Sequence, residues 1–522
     1  MSEQPTYRLD VSTCIAPLVQ SWAAWWMTVA PVPASLHVRN YQLPLLKTYL
    51  LNPDFHARHV GIPASRASEV KELVQKTQQA QAERIRLAEA LESFQRLLLE
   101  EAKGQSMEPF YAKLPEPLRG RVELLYDYHG RPSLRVLEGM MYRGPCHQRE
   151  LQSLRLLRLE SDAGRPDLLT TPVLSEPGQL EWQVPFEDKR LDALFALDLE
   201  PRPLGFIQEL LGPAAANGTE LLPLLTETPA RPYTPWEGPG PRLRYLGHAC
   251  VLIEWKGTTV LVDPVLSATP TSGGLPRLGF QDLPPRIDYV LITHSHYDHL
   301  SIETLLRLRH RIGQLVLPRS SGLLVGDYSP KLLARSLGFE RVLEPELYES
   351  LPLPDGEIVI APFLGEHGDI GHAKSAYVVR MGEQRVLFAA DSLGVDETLY
   401  RHMRKDLGPI QTVFMNTEVE GSPLTWTIEV LFPKKRDRKL EESRRCRGSN
   451  AAEALRMLEQ LGATRLYNYA MGLEPWFTQI MGPPASPEEP RMKESERLLT
   501  AARARGLRAE RLHGHQDLFL AE

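Results

Sequence analysis

Disulfide frameworks, membrane spans and a strong charge of either sign are all missing from this chain. Its four cysteines, Cys14, Cys146, Cys250 and Cys446, are scattered through 522 residues and form no CxxC pair. That excludes a disulfide scaffold and a thiolate zinc site, and it fits a reducing compartment. Residues 1–10 are polar, and the first apolar patch, residues 22–29, is far shorter than the roughly 20 residues a membrane span needs. We expect a soluble cytoplasmic protein that enters no membrane. A net charge of −6 argues against general nucleic-acid binding, so any basic contact surface must be local.

What is present is a core large enough for two to four domains, with 42% hydrophobic and 24% charged residues. Trp22, Trp25 and Trp26 form an aromatic cluster expected to be buried. Residues 64–103 contain no Gly or Pro, and Gly104 follows as a stop. Val70, Leu73, Val74, Thr77, Leu87, Leu91, Phe94, Leu97 and Leu98 recur there at helical spacing, interrupted at 78–84. The pattern predicts one long helix or two, packing within the domain or across a homodimer. Residues 114–126 and 192–211 are expected to be further helices, and 179–184 a short strand. No catalytic cluster occurs before about residue 240, where the Pro- and Gly-rich stretch 212–242 marks a linker. The boundary is placed there, between an N-terminal α+β domain (1–240) and a catalytic domain (241–522).

The texture then changes. Residues 243–255 and 258–262 form a hairpin about Lys256-Gly257, ending on Asp263-Pro264. Strand and helix patterns alternate from there to the end, and strand-rich sequence followed by helix–strand pairs occurs twice. That suggests two sheets sandwiched between helices. After the apolar run 287–292 comes Thr293-His294-Ser295-His296-Tyr297-Asp298-His299-Leu300, three imidazoles and a carboxylate within six residues. His294 and His296 can clasp one ion while Asp298 and His299 reach a second. A merely polar loop has no packing use for such density.

With these residues in place, the second half resembles the metallo-β-lactamase superfamily, whose signature is His-x-His-x-Asp-His on an αββα sandwich. Leu246-Gly247-His248-Ala249 looks like its phosphodiesterase-like branch, and Asp263 matches the acid that closes its second strand. Asp391, ending the apolar strand 386–390, falls where the family places a metal-bridging carboxylate. Two departures bear on function. Where the hydrolases have a third imidazole ligand, this chain reads Gly365-Glu366-His367-Gly368-Asp369-Ile370-Gly371-His372, and either Glu366 or His367 can serve. Where they supply a last His, it reads Tyr467-Asn468-Tyr469-Ala470-Met471-Gly472, with no His between His402 and His513.

Both departures resemble the di-iron β-hydroxylases that act on amino acids tethered to nonribosomal peptide synthetase carrier proteins, a monooxygenase group of antibiotic biosynthesis with a similarly long N-terminal domain. The resemblance implies two Fe ions with a bridging oxo or hydroxo group: His294, His296 and Glu366 on one, Asp298 and His299 on the other, and Asp391 bridging. It also implies O2 as co-substrate, an external electron donor, an aminoacyl-loaded peptidyl carrier protein as partner, and a homodimer. Exchanging an imidazole for a carboxylate raises the ligand charge from two negatives to three, which favours higher-valent iron over zinc. Open coordination positions suit O2 chemistry, whereas a hydrolase needs only one bound water.

The alternatives are a dinuclear zinc or manganese metallohydrolase, which His367 or His372 as third ligand would restore, and a metal-binding scaffold whose N-terminal domain acts. His248 is expected to be structural or to support a ligand. Asp369 is expected in a turn or behind the ligands, and Glu418 and Glu420 either approach the metal face or form a loop ion pair. The segment 434–447 is rich in Lys and Arg and is either a solvated loop or a docking surface for an acidic carrier protein.

Overall fold

A computed structural model describes residues 5–520 except 166–168, 216, 217, 321, 323–326, 368–372, 424–427, 433–436, 438, 440, 441, 443 and 484. Two seven-stranded sheets face each other in the second half. One runs Val342–Leu343, Ile312–Val316, Ile287–Leu291, Thr258–Val262, Val251–Trp255, Arg242–Tyr245, Gln516–Phe519. The other runs Ser350–Leu353, Gly356–Ala361, Ala376–Met381, Gln384–Ala390, Thr412–Met415, Arg465–Asn468, Arg508–Arg511. In each, antiparallel hairpins give way to parallel strands, which require longer crossovers. Val251, Ile253, Val260 and Val262 of the first sheet meet Tyr377, Val379, Val386 and Phe388 of the second. Leu252 and Leu261 face the other way, into a separate cluster, so these strands are apolar on both faces.

Helices Glu397–Leu407, Ala451–Leu461 and Pro490–Ala504 cover the second sheet through Tyr400, Met403, Ala454, Leu458 and Leu498. Their ends are set by local chemistry. Asp396 accepts the N–H groups of Thr398 and Leu399, Asn450 and Glu453 form a capping box, and Gly462 closes its helix in the left-handed region. Helix Ile302–Leu308 covers the first sheet, and the result is the expected αββα sandwich.

The N-terminal half contains more strand than its sequence pattern predicts. Trp22–Ala23, Thr13–Val19, Gln152–Arg158 and Leu180–Gln183 form a four-stranded sheet. Every residue of Thr13–Val19 is buried, so it shows no alternation. The expected helix over 114–126 is instead a 3-10 turn, Glu116–Leu118, and a strand, Val122–Tyr126, paired with Pro132–Val136. Pro115 and Pro117 stop the helix, and Asp127 Oδ1 closes the hairpin by accepting from the backbone of His129 and Arg131. The expected helix over 192–211 is cut by Pro201 and Pro203 into Arg190–Ala196 and Leu204–Leu211. The 64–103 stretch forms two helices, Ala67–Ala80 and Ala82–Glu101, broken at Gln81. Their apolar stripe is consumed inside the chain: Val70, Leu73 and Val74 pack on Leu46 and Tyr49, and Leu87, Leu91 and Phe94 on Val32 and Leu36. The linker is tied down where Leu225–Thr226 pairs with Thr6–Leu9.

The two halves share one core. Ile15, Leu154 and Phe186 cluster with Ile302 and Leu305 of the helix that follows the metal motif. At this seam Arg307 donates to both oxygens of Asp198, at 3.0 and 2.6 Å, and to Thr13 O at 2.8 Å. Burial alone would raise the Asp198 carboxyl, but Arg307 and Arg311 hold it below the ordinary range. Arg307→Ala leaves that buried carboxylate only the longer contact with Arg311, at 3.5 Å, an expected loss toward the low end of about 3–5 kcal/mol. Because the folded carboxyl is depressed, its contribution is present above its unfolded value of about 4 and disappears as pH falls through the lower folded value. Urea titrations at pH 7 and pH 3 should show the gap between wild type and variant narrowing at the lower pH.

Candidate metal centre

The strand Ile287–Leu291 delivers the motif to the rim of the sandwich, and the helix beginning after Ser301, whose Oγ accepts from Thr304 N, carries the chain away. Between them the loop is held from below by Asp263. Its backbone lies in the left-handed region (φ 40°), and its carboxylate accepts from Thr293 N at 2.7 Å, Thr293 Oγ1 at 2.6 Å and His299 Nδ1 at 2.8 Å. Thr293 Oγ1 spends its proton on Asp263, so it accepts from His294 Nδ1 at 3.0 Å. Both rings are thereby fixed with Nδ1 protonated and Nε2 bare.

These bare nitrogens converge. His294 Nε2 and His299 Nε2 lie 3.5 and 3.0 Å from Asp391 Oδ2, and His367 Nε2 lies 3.6 Å from the same oxygen. His294 Nε2, His299 Nε2 and Asp391 Oδ2 are all buried without a hydrogen-bond partner. Buried polar atoms are ordinarily satisfied, so three orphans aimed at one region are the signature of a cation site. Three overlapping groups have ligand atoms within 4.8 Å of one another: His294, His296 and His367; His248, Asp298 and His299; and His294, His299 and Asp391. Their overlap fits two ions rather than one. Asp391 is aimed by a bulge at the end of its strand, where Ala390 adopts φ 46°.

The electrostatics agree. Burial, then the neighbouring imidazoles, holds His294 well below its ordinary value. Burial and His367 bring His296 down to about 3. Both are neutral donors. Burial would raise Asp298 and Asp391, but the surrounding imidazoles keep both carboxyls low and ionised. His299 is opposed by burial and raised by Asp298 and Asp263. A cation there would answer the same carboxylates.

Of the six residues expected to hold metal, His294, His296, Asp298, His299 and Asp391 are gathered here, and Glu366 is not. Its carboxylate is half exposed and takes a two-pronged pair from Arg444, with Nη2 at 2.7 Å and Nε at 3.1 Å. His367, the neighbour left open against it, is the one whose ring joins His294 and His296. Lys374 holds this stretch by donating to Gly365 O and His367 O, and its own backbone forms an isolated bridge to His294. Asp369 and His372 lie outside the described residues. Glu418 turns to Arg491 at 3.7 Å, and Glu420 is exposed.

Asn468, at the position where hydrolases carry a last imidazole, is fully buried. It donates to Met415 O and accepts from Ser495, so it serves the sheet. Lys434, Lys435, Arg436 and Arg438 lie outside the described residues, while Arg447 pairs with Glu453. The turn before that segment is anchored on the N-terminal half: Ile428, Val430 and Leu431 pack on its core and Asn40 donates to Val430 O at 3.0 Å. The orienting roles of Asp263, Thr293 and Lys374 escape sequence reasoning; Asp263 was marked only by its place at a strand end.

Residues 8–229 match the diiron non-heme beta-hydroxylase N-terminal domain family. Residues 258–468 match the beta-lactamase superfamily domain. The chain is 35% identical over 535 residues to 4-amino-L-phenylalanyl-(CmlP-peptidyl-carrier-protein) 3-hydroxylase of Streptomyces venezuelae, covering 98% of this chain and 100% of that one. The crystal structure of CmlA, a diiron beta-hydroxylase from the same organism, superposes with a TM-score of 0.91 at 32% identity, over 99% of this chain and 100% of that one. A metal-dependent hydrolase of Methanopyrus kandleri is 31% identical over 160 residues, only 29% of this chain and 62% of that one.

Proposed function

The chain belongs to the diiron β-hydroxylase family that joins this N-terminal domain to a β-lactamase-superfamily domain, and from that membership we propose its reaction. It hydroxylates the β-carbon of an amino acid held as a thioester on a nonribosomal peptide synthetase carrier protein, consuming O2 and electrons from an external donor. The observation that carries this is the end-to-end match to a carrier-protein 3-hydroxylase, position 3 being the β-carbon. Incubating the purified protein with a loaded carrier, a reductant and O2 should add one oxygen to the aminoacyl group and leave the thioester intact. An intact, unmodified substrate under those conditions would overturn the proposal.

In this proposal His294, His296 and Glu366 hold one iron, Asp298 and His299 the other, and Asp391 lies between them. Two irons so held supply the activation of O2. The protein's own residues fix the geometry: Asp263 and Thr293 set the tautomers of His294 and His299, and Lys374 pins the backbone on both sides of Glu366. On this reading Glu366 would leave its pair with Arg444 to hold the metal. A second reading, a zinc or manganese hydrolase, is favoured by the all-imidazole grouping of His294, His296 and His367. Stoichiometric zinc with thioester cleavage would be its mark.

We assign residues 1–240 an accessory role and 241–522 the catalytic one, since every residue of the gathered site comes from the latter. The protein works in the cytoplasm with its carrier partner. A homodimer must use a surface other than the buried 64–103 stripe; Leu51 (86% exposed) and Phe55 (59%) offer apolar area for it, and light scattering reads the outcome. For the carrier, the basic segment supplies steering. Reversing the charge of Lys434, Lys435 and Arg436 should raise the apparent KM for a loaded carrier about tenfold at low salt, with the difference fading as salt rises.

A further inference from the structure

His248, expected from the sequence to be structural or to support a ligand, sits beside the second ion's ligands. It is fully buried, in a tight turn closed by Cys250 N–H to Gly247 O. Its backbone is in the left-handed region, φ 50°. Gly247 before it (φ 109°) leaves no room for a side chain, since a Cβ there would stand 2.8 Å from the Trp476 indole. A non-glycine residue held in such a conformation is over-determined by its surroundings. Here the surroundings are the ring of Phe477, 4.7 Å away, and the segment 470–472. Ala470 N donates to His248 O at 2.9 Å, and Gly472 N donates to His248 Nδ1 at 3.2 Å.

That last bond settles the tautomer. A backbone N–H can only donate, so Nδ1 is the acceptor and the neutral ring carries its proton on Nε2. Nε2 lies 3.0 Å from Asp298 Oδ2. A nitrogen that presents a proton to a carboxylate has no lone pair for a metal. We propose that His248 is not a ligand of the second iron but the positioning residue that fixes Asp298, its Nε2–H holding Oδ2, the oxygen that also faces His299 Nε2 at 3.6 Å. The segment that carries a last imidazole ligand in the hydrolases acts here through its backbone instead. Gly472 locks His248, and His248 locks Asp298. This rests on the proposed placement of Asp298 at the second iron.

The test compares His248→Gln with His248→Asn in the full-length chain reconstituted with ferrous iron. Glutamine puts its amide nitrogen where Nε2 stands and can still donate to Asp298; asparagine is polar and tolerates the left-handed backbone but falls short. The readouts are iron per chain, the rate of iron loss to a chelator, and the near-ultraviolet spectrum of the oxidised centre. The glutamine variant should keep two irons and the wild-type band. The asparagine variant should release one iron about 10–100-fold more readily and lose the band, at an unchanged circular dichroism spectrum. Equal behaviour of the two variants, whether both retain iron or both lose it, overturns the proposal. A wild-type protein that takes up fewer than two irons would instead overturn the dinuclear site itself.

Discussion

Asp391→Ala is expected to abolish the dinuclear centre: iron falls from two per chain toward none, and hydroxylation drops by about 10³-fold or more, equivalent to some 4 kcal/mol in the barrier. The size follows from where the carboxylate stands. One oxygen, Oδ2, faces His299, His294 and His367 at 3.0, 3.5 and 3.6 Å, with no hydrogen-bond partner of its own. Among the described residues it is the carboxylate oxygen common to that set, and two cations held a few ångströms apart need a shared anion. Asp391→Asn keeps the shape and removes the charge, so it should fail nearly as badly. Fold is not at stake, because the strand behind it is anchored by Val386, Phe388 and their neighbours in the sandwich core. Metal analysis beside circular dichroism checks this; a folded Asp391→Ala protein with two irons would remove Asp391 from the site.

The second large effect separates two adjacent residues. If Glu366 leaves Arg444 to hold iron as proposed, Glu366→Ala should cost one iron and reduce turnover by about 10²–10³-fold, as expected for loss of a charged ligand. His367→Ala should retain both irons and lose activity only several-fold, through the packing of its ring 4.5 Å from His296. The opposite pattern would mean that the grouping of His294, His296 and His367 is the true ligand set, and the chemistry would then be hydrolytic. Arg444→Ala adds a control, since Arg444 pairs with Glu366 and would have to release it for the proposed ligand role. Its removal should leave iron content unchanged or raised, and an iron loss matching that of Glu366→Ala would point to a structural pair instead.

Much of this was legible in the chain because the chemistry is dense and local. His294 to His299 fall within six residues after an apolar run, and Asp391 ends another. Both strands are buried and aimed at one rim, so the sandwich and five of the gathered residues could be read from pattern. Glu366 and His367 could not be separated because spacing does not say which of two neighbours turns inward; that depends on Lys374 and on the strained Gly365 (φ 102°). His248 was legible as an imidazole near the site, but its tautomer depends on the backbone of Gly472, 224 residues away. In the N-terminal half one strand went unread and another was read as helix. Thr13–Val19 is buried on both faces and Val122–Tyr126 follows prolines in a leucine-rich run, so periodicity misleads where tertiary packing decides.

In the proposed reaction this di-iron site puts an atom of O2 on the β-carbon of a carrier-bound amino acid. The direct measurement is single-turnover reaction of the reduced, iron-loaded protein with a loaded carrier under 18O2, read by mass spectrometry of the aminoacyl-phosphopantetheine. The product should carry one 18O at the β-carbon, with the thioester intact and none incorporated from labelled water. Oxygen drawn from water, or release of the free amino acid without hydroxylation, would contradict it.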